Sequence, residues 1–167
     1  MKILPLFPCS LFTILVLFAS CGGQNAELNN MQAKVDSLQK QLDGVYRPGL
    51  GEFMTGIQTH HAKLWFAGKN ANWKLADFEI HEIMESLDDI QKYNQDRPEI
   101  KSIGMIAPAL DSINNAIKQK DTVSFRRSFV LLTNTCNNCH RATDHEFNVV
   151  IVPSGLPVLN QDFKTAP

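Results

Sequence analysis

Phe125-Arg126-Arg127-Ser128-Phe129-Val130-Leu131-Leu132-Thr133-Asn134-Thr135-Cys136-Asn137-Asn138-Cys139-His140 carries two patterns at once. Phe125, Phe129, Leu132, Cys136 and Cys139 recur at steps of four and three, the period of a helix that buries one face. The last five residues read C-x-x-C-H, the pattern for covalent attachment of a c-type haem. Two thiols on one helical turn can add across the two vinyl groups. The histidine that follows is carried under the iron as its proximal ligand. Because the cysteines continue the apolar stripe, the spacing places the haem against the interior of a helical domain. A C-x-x-C pair can also be half of a zinc site, or a thioredoxin-like redox pair. Zinc wants four ligands in paired short spacings, and the remaining cysteines, Cys9 and Cys21, both lie in the amino-terminal segment. A redox pair wants a βαβ context, and the surroundings here are helical.

Working back from this stretch, Asp121 is an N-cap for its helix. The preceding helix covers about Ile100 to Lys118, with Ile106, Leu110, Ile113 and Ile117 as its stripe. Pro108 interrupts it, so the helix kinks there or starts afresh near Ala107. A further helix follows Asn72 and runs to about Tyr93. Its stripe is Trp73, Ala76, Ile80, Ile83, Leu87 and Ile90. The acidic residues Glu79, Glu82, Glu85, Asp88 and Asp89 read as its solvated face. The first helix of the body spans about Gly51 to Ala67, with Met54, Ile57, Leu64 and Trp65 inward and Gly68 as its C′ residue. Four amphipathic helices with short connections predict an all-α, up-down-up-down four-helix bundle over residues 50–142. The tail, 143–167, holds a β-prone apolar run from Phe147 to Val152 and then a Pro/Gly break. It reads as an extended segment packed on the bundle, shielding a haem edge.

The amino terminus has a different character. Residues 1–20 contain one early charge, Lys2, and an apolar run from Leu11 to Ala19, the layout of a secretory signal. The run is short for a membrane span. Its end, Leu17-Phe18-Ala19-Ser20-Cys21-Gly22-Gly23, resembles a bacterial lipoprotein signal. That resemblance implies cleavage before Cys21 and lipidation of its thiol. The protein is then expected outside the cytoplasm, membrane-anchored and facing the periplasm. This agrees with the haem motif, since c-type haem is attached outside the bacterial cytoplasm. Residues 21–49 follow as linker and stalk. Gly22 to Ala26 is a polar spacer, and Leu28, Met31, Val35, Leu38 and Leu42 form an a/d stripe ended by Gly44 and an Arg47-Pro48-Gly49 turn. That stripe makes a helical stalk, a helix lying on the main domain, or a short oligomerisation helix of a homodimer.

At 167 residues the chain has room for a substantial core, and its 16 Lys plus Arg balance 17 Asp plus Glu. No basic stripe suggests nucleic acid as a partner. No Ser/His/Asp set, phosphate-cradling glycine loop or paired carboxylates can be recognised, so an enzyme is not expected.

A helical bundle with C-x-x-C-H near the end of its last helix resembles the cytochrome c′ family, over roughly Leu50 to Ala142. The resemblance rests on Cys136, Cys139 and His140. No methionine follows His140, which excludes the other large arrangement, an early motif with a distant methionine ligand. Family members commonly leave the distal iron face without a strong ligand and bind small gases there. The stalk, the long tail and the adjacent His60 and His61 depart from the family pattern. His61 or His60 is a candidate distal ligand, and helical spacing does not separate the two. Met54 shares the same inner face. His81 reads as a surface or boundary residue, and His145 lies on the proximal side. The expected function is electron transfer with a redox partner protein, through one covalent haem c. The alternatives are a five-coordinate protein that binds NO or CO, and a structural or metal-binding lipoprotein without haem.

Overall fold

The computed structural model describes residues 21–43, 45 and 48–165. The expected signal segment, Cys9, Gly44 and Arg47 lie outside the described residues. The chain divides into two compact units, Met1–Tyr46 and Arg47–Pro167. The first contains helix α1, Cys21–Asp43. This helix begins at Cys21, so the stretch expected as a polar spacer is helical. Gln24, Ala26 and Glu27 are adequate helix formers, and the glycine pair sits only in the opening turn. Leu28, Met31, Val35, Leu38 and Leu42 are each more than half exposed.

The second unit is helical throughout its body: α2 (Leu50–Lys69), α3 (Trp73–Tyr93), the short α4 (Ile100–Ile103), a 3₁₀ turn (Gly104–Ile106), α5 (Ala107–Lys118) and α6 (Thr122–Ala142). No strand occurs among the described residues. Asn72 caps α3 by accepting from the Leu75 amide, and Asp121 caps α6 by accepting from Val123 and Ser124. Of the two readings of Pro108, the fresh start is the observed one. The proline occupies the first turn of α5, where its missing N–H leaves no bond unmade. Three helices end by a left-handed residue that is not glycine: Ala71, Lys120 and Asp144 at φ 54°, 55° and 59°.

The core joins all of these helices. Leu64, Ile80, Ile83, Ile90, Ile113, Phe125, Phe129 and Leu132 are fully buried. Trp65 lies 4.9 Å from Phe129, and Trp73 meets Phe125 edge-on at 6.0 Å, ring centre to ring centre. Contacts between α2 and α6 pair rising with falling residue numbers: His61 with Thr133, and Trp65 with Phe129. The two helices therefore run antiparallel.

Two expectations are corrected by this packing. Gly68 is not a C′ residue but lies inside α2, which continues to Lys69. A Cβ there would stand 2.1 Å from the ring of Phe125, so glycine is required by the close approach of α6. Glu79 is not on a solvated face but has no exposed surface at all. It lies on the side of α3 that faces α2, where His60 Nδ1 is 2.7 Å from Oε2 and Lys63 Nζ is 3.7 Å from Oε1. A carboxylate this deep needs such partners to offset its lost hydration.

The tail runs irregularly along this unit. Phe147, Val149, Ile151, Leu156 and Leu159 point outward, while Val152 packs on the core and Phe163 is buried. The Phe163 ring sits 5.7 Å from that of Phe66, and Asn72 Nδ2 donates to the Lys164 carbonyl at 2.9 Å.

Candidate functional site

The carboxyl end of α6 carries the motif. An i, i+3, i+4 spacing brings Cys136, Cys139 and His140 to one side of the helix. The cysteines are not bridged, and both are half-buried. Burial, with a smaller contribution from Cys139, pushes the Cys136 thiol up to about 11. Burial also raises Cys139. Both are therefore neutral thiols near neutral pH, the opposite of the depressed values that mark a thioredoxin-like pair.

His140 is fixed by the returning tail. Its Nδ1 lies 2.6 Å from the carbonyl oxygen of Asn148. A carbonyl only accepts, so Nδ1 carries a proton, and Nε2 is the nitrogen that holds the lone pair of the neutral ring. The chain reaches Asn148 by reversing at the left-handed Asp144. The His145 amide then donates to the His140 carbonyl, and the Asn148 amide to that of His145. Next to this, the side chain of Asn137 makes a paired contact with the tail. Its Nδ2 donates to the Val150 carbonyl and its Oδ1 accepts from the Val150 amide, both at 2.8 Å.

Cys136, Cys139 and His140 line a cavity of about 400 Å³. Ile57 and Met54 of α2, Leu87 of α3, Ile103 and Ile106 give it an apolar wall, and Val149 and Val150 of the tail form another side. Arg97, Glu99 and His145 make its polar edge. Both guanidinium bonds of Arg97 reach Glu99, at 2.6 and 3.2 Å, and hold its carboxyl below the usual carboxylate range.

His61 reaches this cavity and His60 does not. His60 turns instead to Glu79, with Glu82 3.9 Å from its other nitrogen. His61 is 3 % exposed and packs on Phe129 at 4.4 Å between ring centres. Its Nε2 lies 2.9 Å from Thr133 Oγ1. That hydroxyl spends its only proton on the Phe129 carbonyl at 2.9 Å, so it accepts from His61. Nε2 therefore carries the proton, and the lone pair lies on Nδ1. Burial lowers the ring's pKa to about 4, which makes His61 neutral at physiological pH.

No family model, curated protein or solved structure matches this chain. The site's own chemistry is what remains. Among the described residues no three His, Cys, Asp or Glu side chains gather as a ligand set for a metal ion. Nor is any described helix long and apolar enough to cross a membrane. His81 is half exposed beside Asp77, and His145 lies on the cavity edge near Glu99. The roles of Asn137, Asn148 and Thr133 were not visible in the sequence. Asn137 occupies a position that the C-x-x-C-H pattern leaves open. Thr133 matters only because α2 brings His61 beside it.

Proposed function

We propose that this chain is a monohaem c-type cytochrome, membrane-tethered through Cys21, that acts in electron transfer. Cys136 and Cys139 would hold the haem through thioethers, with His140 as proximal iron ligand. The observation that carries the reading is the state of His140. Its Nδ1–H is tied to a backbone carbonyl and its Nε2 is left as a donor, on the wall of a cavity shared with two unbridged thiols. A ligating histidine needs this kind of outer partner to fix its tautomer and orientation. The cavity suits the group in its apolar wall and in the donors it contains. When bound, the haem supplies a one-electron ferric/ferrous couple. Met54, Ile57 and Leu87 would supply the apolar wall against which the group packs. The Asn148 carbonyl fixes the tautomer and orientation of His140.

The body is read as a four-helix up-down-up-down bundle of α2, α3, α5 and α6, resembling the cytochrome c′ family. Two three-residue links, 70–72 and 119–121, support this reading, as does the antiparallel α2–α6 contact. A second reading, an open iron site for NO or CO, is favoured by the Thr133 bond to His61. It ties Nε2 as a donor and fixes the ring in the core, leaving Nδ1 as the only nitrogen with a lone pair.

The test is haem staining after denaturing electrophoresis, with absorption spectra in both oxidation states. Covalent haem is expected in the wild type and lost in the Cys136→Ala/Cys139→Ala double variant. A colourless exported protein whose two thiols both alkylate freely would remove the reading. Ferric spin state in wild type, His60→Ala and His61→Ala separates the two haem functions. A low-spin wild type turned high-spin by His61→Ala marks His61 as ligand and supports electron transfer. A high-spin wild type that binds carbon monoxide supports the open site.

A further inference from the structure

The tail meets the motif helix at two neighbouring points, and the geometry makes them one device. Residues 140 and 148 are joined by the His140–Asn148 bond, and residues 137 and 150 by the Asn137–Val150 pair. The outer pair is separated by 13 residues and the inner by 8, so the tail returns antiparallel to the helix end. The first contact involves a ring that the haem reading makes an iron ligand. The second holds no ligand at all, yet it fixes the backbone two residues beyond Asn148 from both its N–H and its C=O. Asn148 is itself exposed, and its side chain has no part in the contact to His140. The position of its carbonyl is set by the backbone on either side. On one side are the turn bonds from His145 and Asn148, and on the other the Asn137 amide.

We infer that Asn137, the first open position of C-x-x-C-H, is a positioning residue that clamps the tail so that the Asn148 carbonyl holds the Nδ1 proton of His140. The inference rests on the haem reading of His140 for its redox consequence, but not for the clamp itself. The amide is suited to the work. It offers one donor and one acceptor at the reach of a single methylene, matching the acceptor and donor of one residue of extended backbone. Aspartate keeps only the acceptor. Alanine and leucine keep neither. A carbonyl that accepts from Nδ1–H makes Nε2 a stronger electron donor. Stronger donation favours the ferric over the ferrous state, so the clamp holds the reduction potential down.

The experiment uses the full chain, as wild type, Asn137→Ala and Asn137→Asp. Helicity and thermal midpoint check that each folds. Limited proteolysis between residues 145 and 152 reads the tail. Midpoint potential and the ferrous iron–histidine stretching frequency read His140. Asn137→Ala is expected to speed cleavage of the tail, raise the potential and lower the stretching frequency, with Asn137→Asp between it and wild type. A loosened tail with unchanged potential and frequency overturns the inference and leaves Asn137 as a structural staple. An unchanged tail overturns it too. If the protein carries no covalent haem, the haem reading fails separately, and the clamp is read by ¹⁵N shifts of His140. A single Nδ1–H tautomer in wild type that becomes mixed in Asn137→Ala upholds the clamp, and identical spectra overturn it.

Discussion

His61 shows how one buried ring makes stability depend on pH. Folding removes it from water, and burial lowers its pKa from 6.5 to about 4. The unfolded chain takes up a proton as pH falls through 6.5, while the folded chain waits until about 4. Between those values the unfolded state binds more protons, so stability falls with pH. The contribution is intact above 6.5 and is lost by about 4, a difference of about 3 kcal/mol. The thermal midpoint of wild type should therefore drop steeply between pH 7 and 4, and more steeply than that of His61→Gln. Parallel profiles would show that the ring is not held neutral. Nothing in sequence separated His61 from His60, since both sit at helical spacing from inward residues. What separates them is the neighbour each meets: Thr133 of α6 for one, Glu79 of α3 for the other. Glu79 itself read as solvated because its surroundings on α3 are acidic. Only the partner helix reveals that the carboxylate is buried.

Helix α2 carries a tight packing constraint at Gly68. A side chain at Gly68 would meet the Phe125 ring at 2.1 to 2.5 Å. That ring is completely buried among Trp65, Trp73 and Phe129 and has no room to retreat. Overpacking of this kind costs about 1–3 kcal/mol, and the better helix propensity of alanine returns about 1 kcal/mol. Gly68→Ala should be less stable by up to about 2 kcal/mol in denaturant titration. In a Phe125→Leu background the same change should cost less, since the obstructing ring atoms are gone. Equal costs in both backgrounds would refute the contact. At this scale the sequence is largely legible. The 3.6-residue stripes, the Asn72 and Asp121 caps and the break before Pro108 all express local chemistry. The end of α2 was misplaced because a glycine needed for packing looks the same, in sequence, as a glycine needed for a left-handed cap. The tail was legible as an apolar, extended segment, but its irregular course and its contacts with α6 were not. They depend on a reversal at Asp144, a residue with no special claim to positive φ beyond its short polar side chain.

For the whole molecule, the separation into two units has a direct test. The second unit contains the core, the caps and the cavity. Residues 47–167 alone should keep the cooperative thermal transition of the complete chain, within a few degrees. A broadened transition would show that residues 1–46 contribute to the body. The proposed anchor makes a different prediction. Cys21→Ser should move the exported protein from the membrane to the soluble fraction. Acyl chains contribute about 0.8 kcal/mol per buried CH₂, and two or more hold where one would not. Wild type found soluble, with an unmodified amino terminus, would remove the anchor.

The tail also orders events in time. The bonds that end α6 are local, whereas those to residues 148 and 150 need the chain to reverse at Asp144 first. Until those residues arrive, the Nδ1 of His140 has no carbonyl to meet, and the cavity lacks its Val149–Val150 side. The last tie is later still. The Asn72–Lys164 bond joins residues 92 apart, so it closes only when nearly the whole chain is present. Helical hairpins with short links form in microseconds to milliseconds, whereas contacts of such long range come late. Folding in this order passes through an interval in which the helices are formed and the cavity still lacks its tail side. The cavity is at its widest then, and the tail narrows it by adding the Val149–Val150 side.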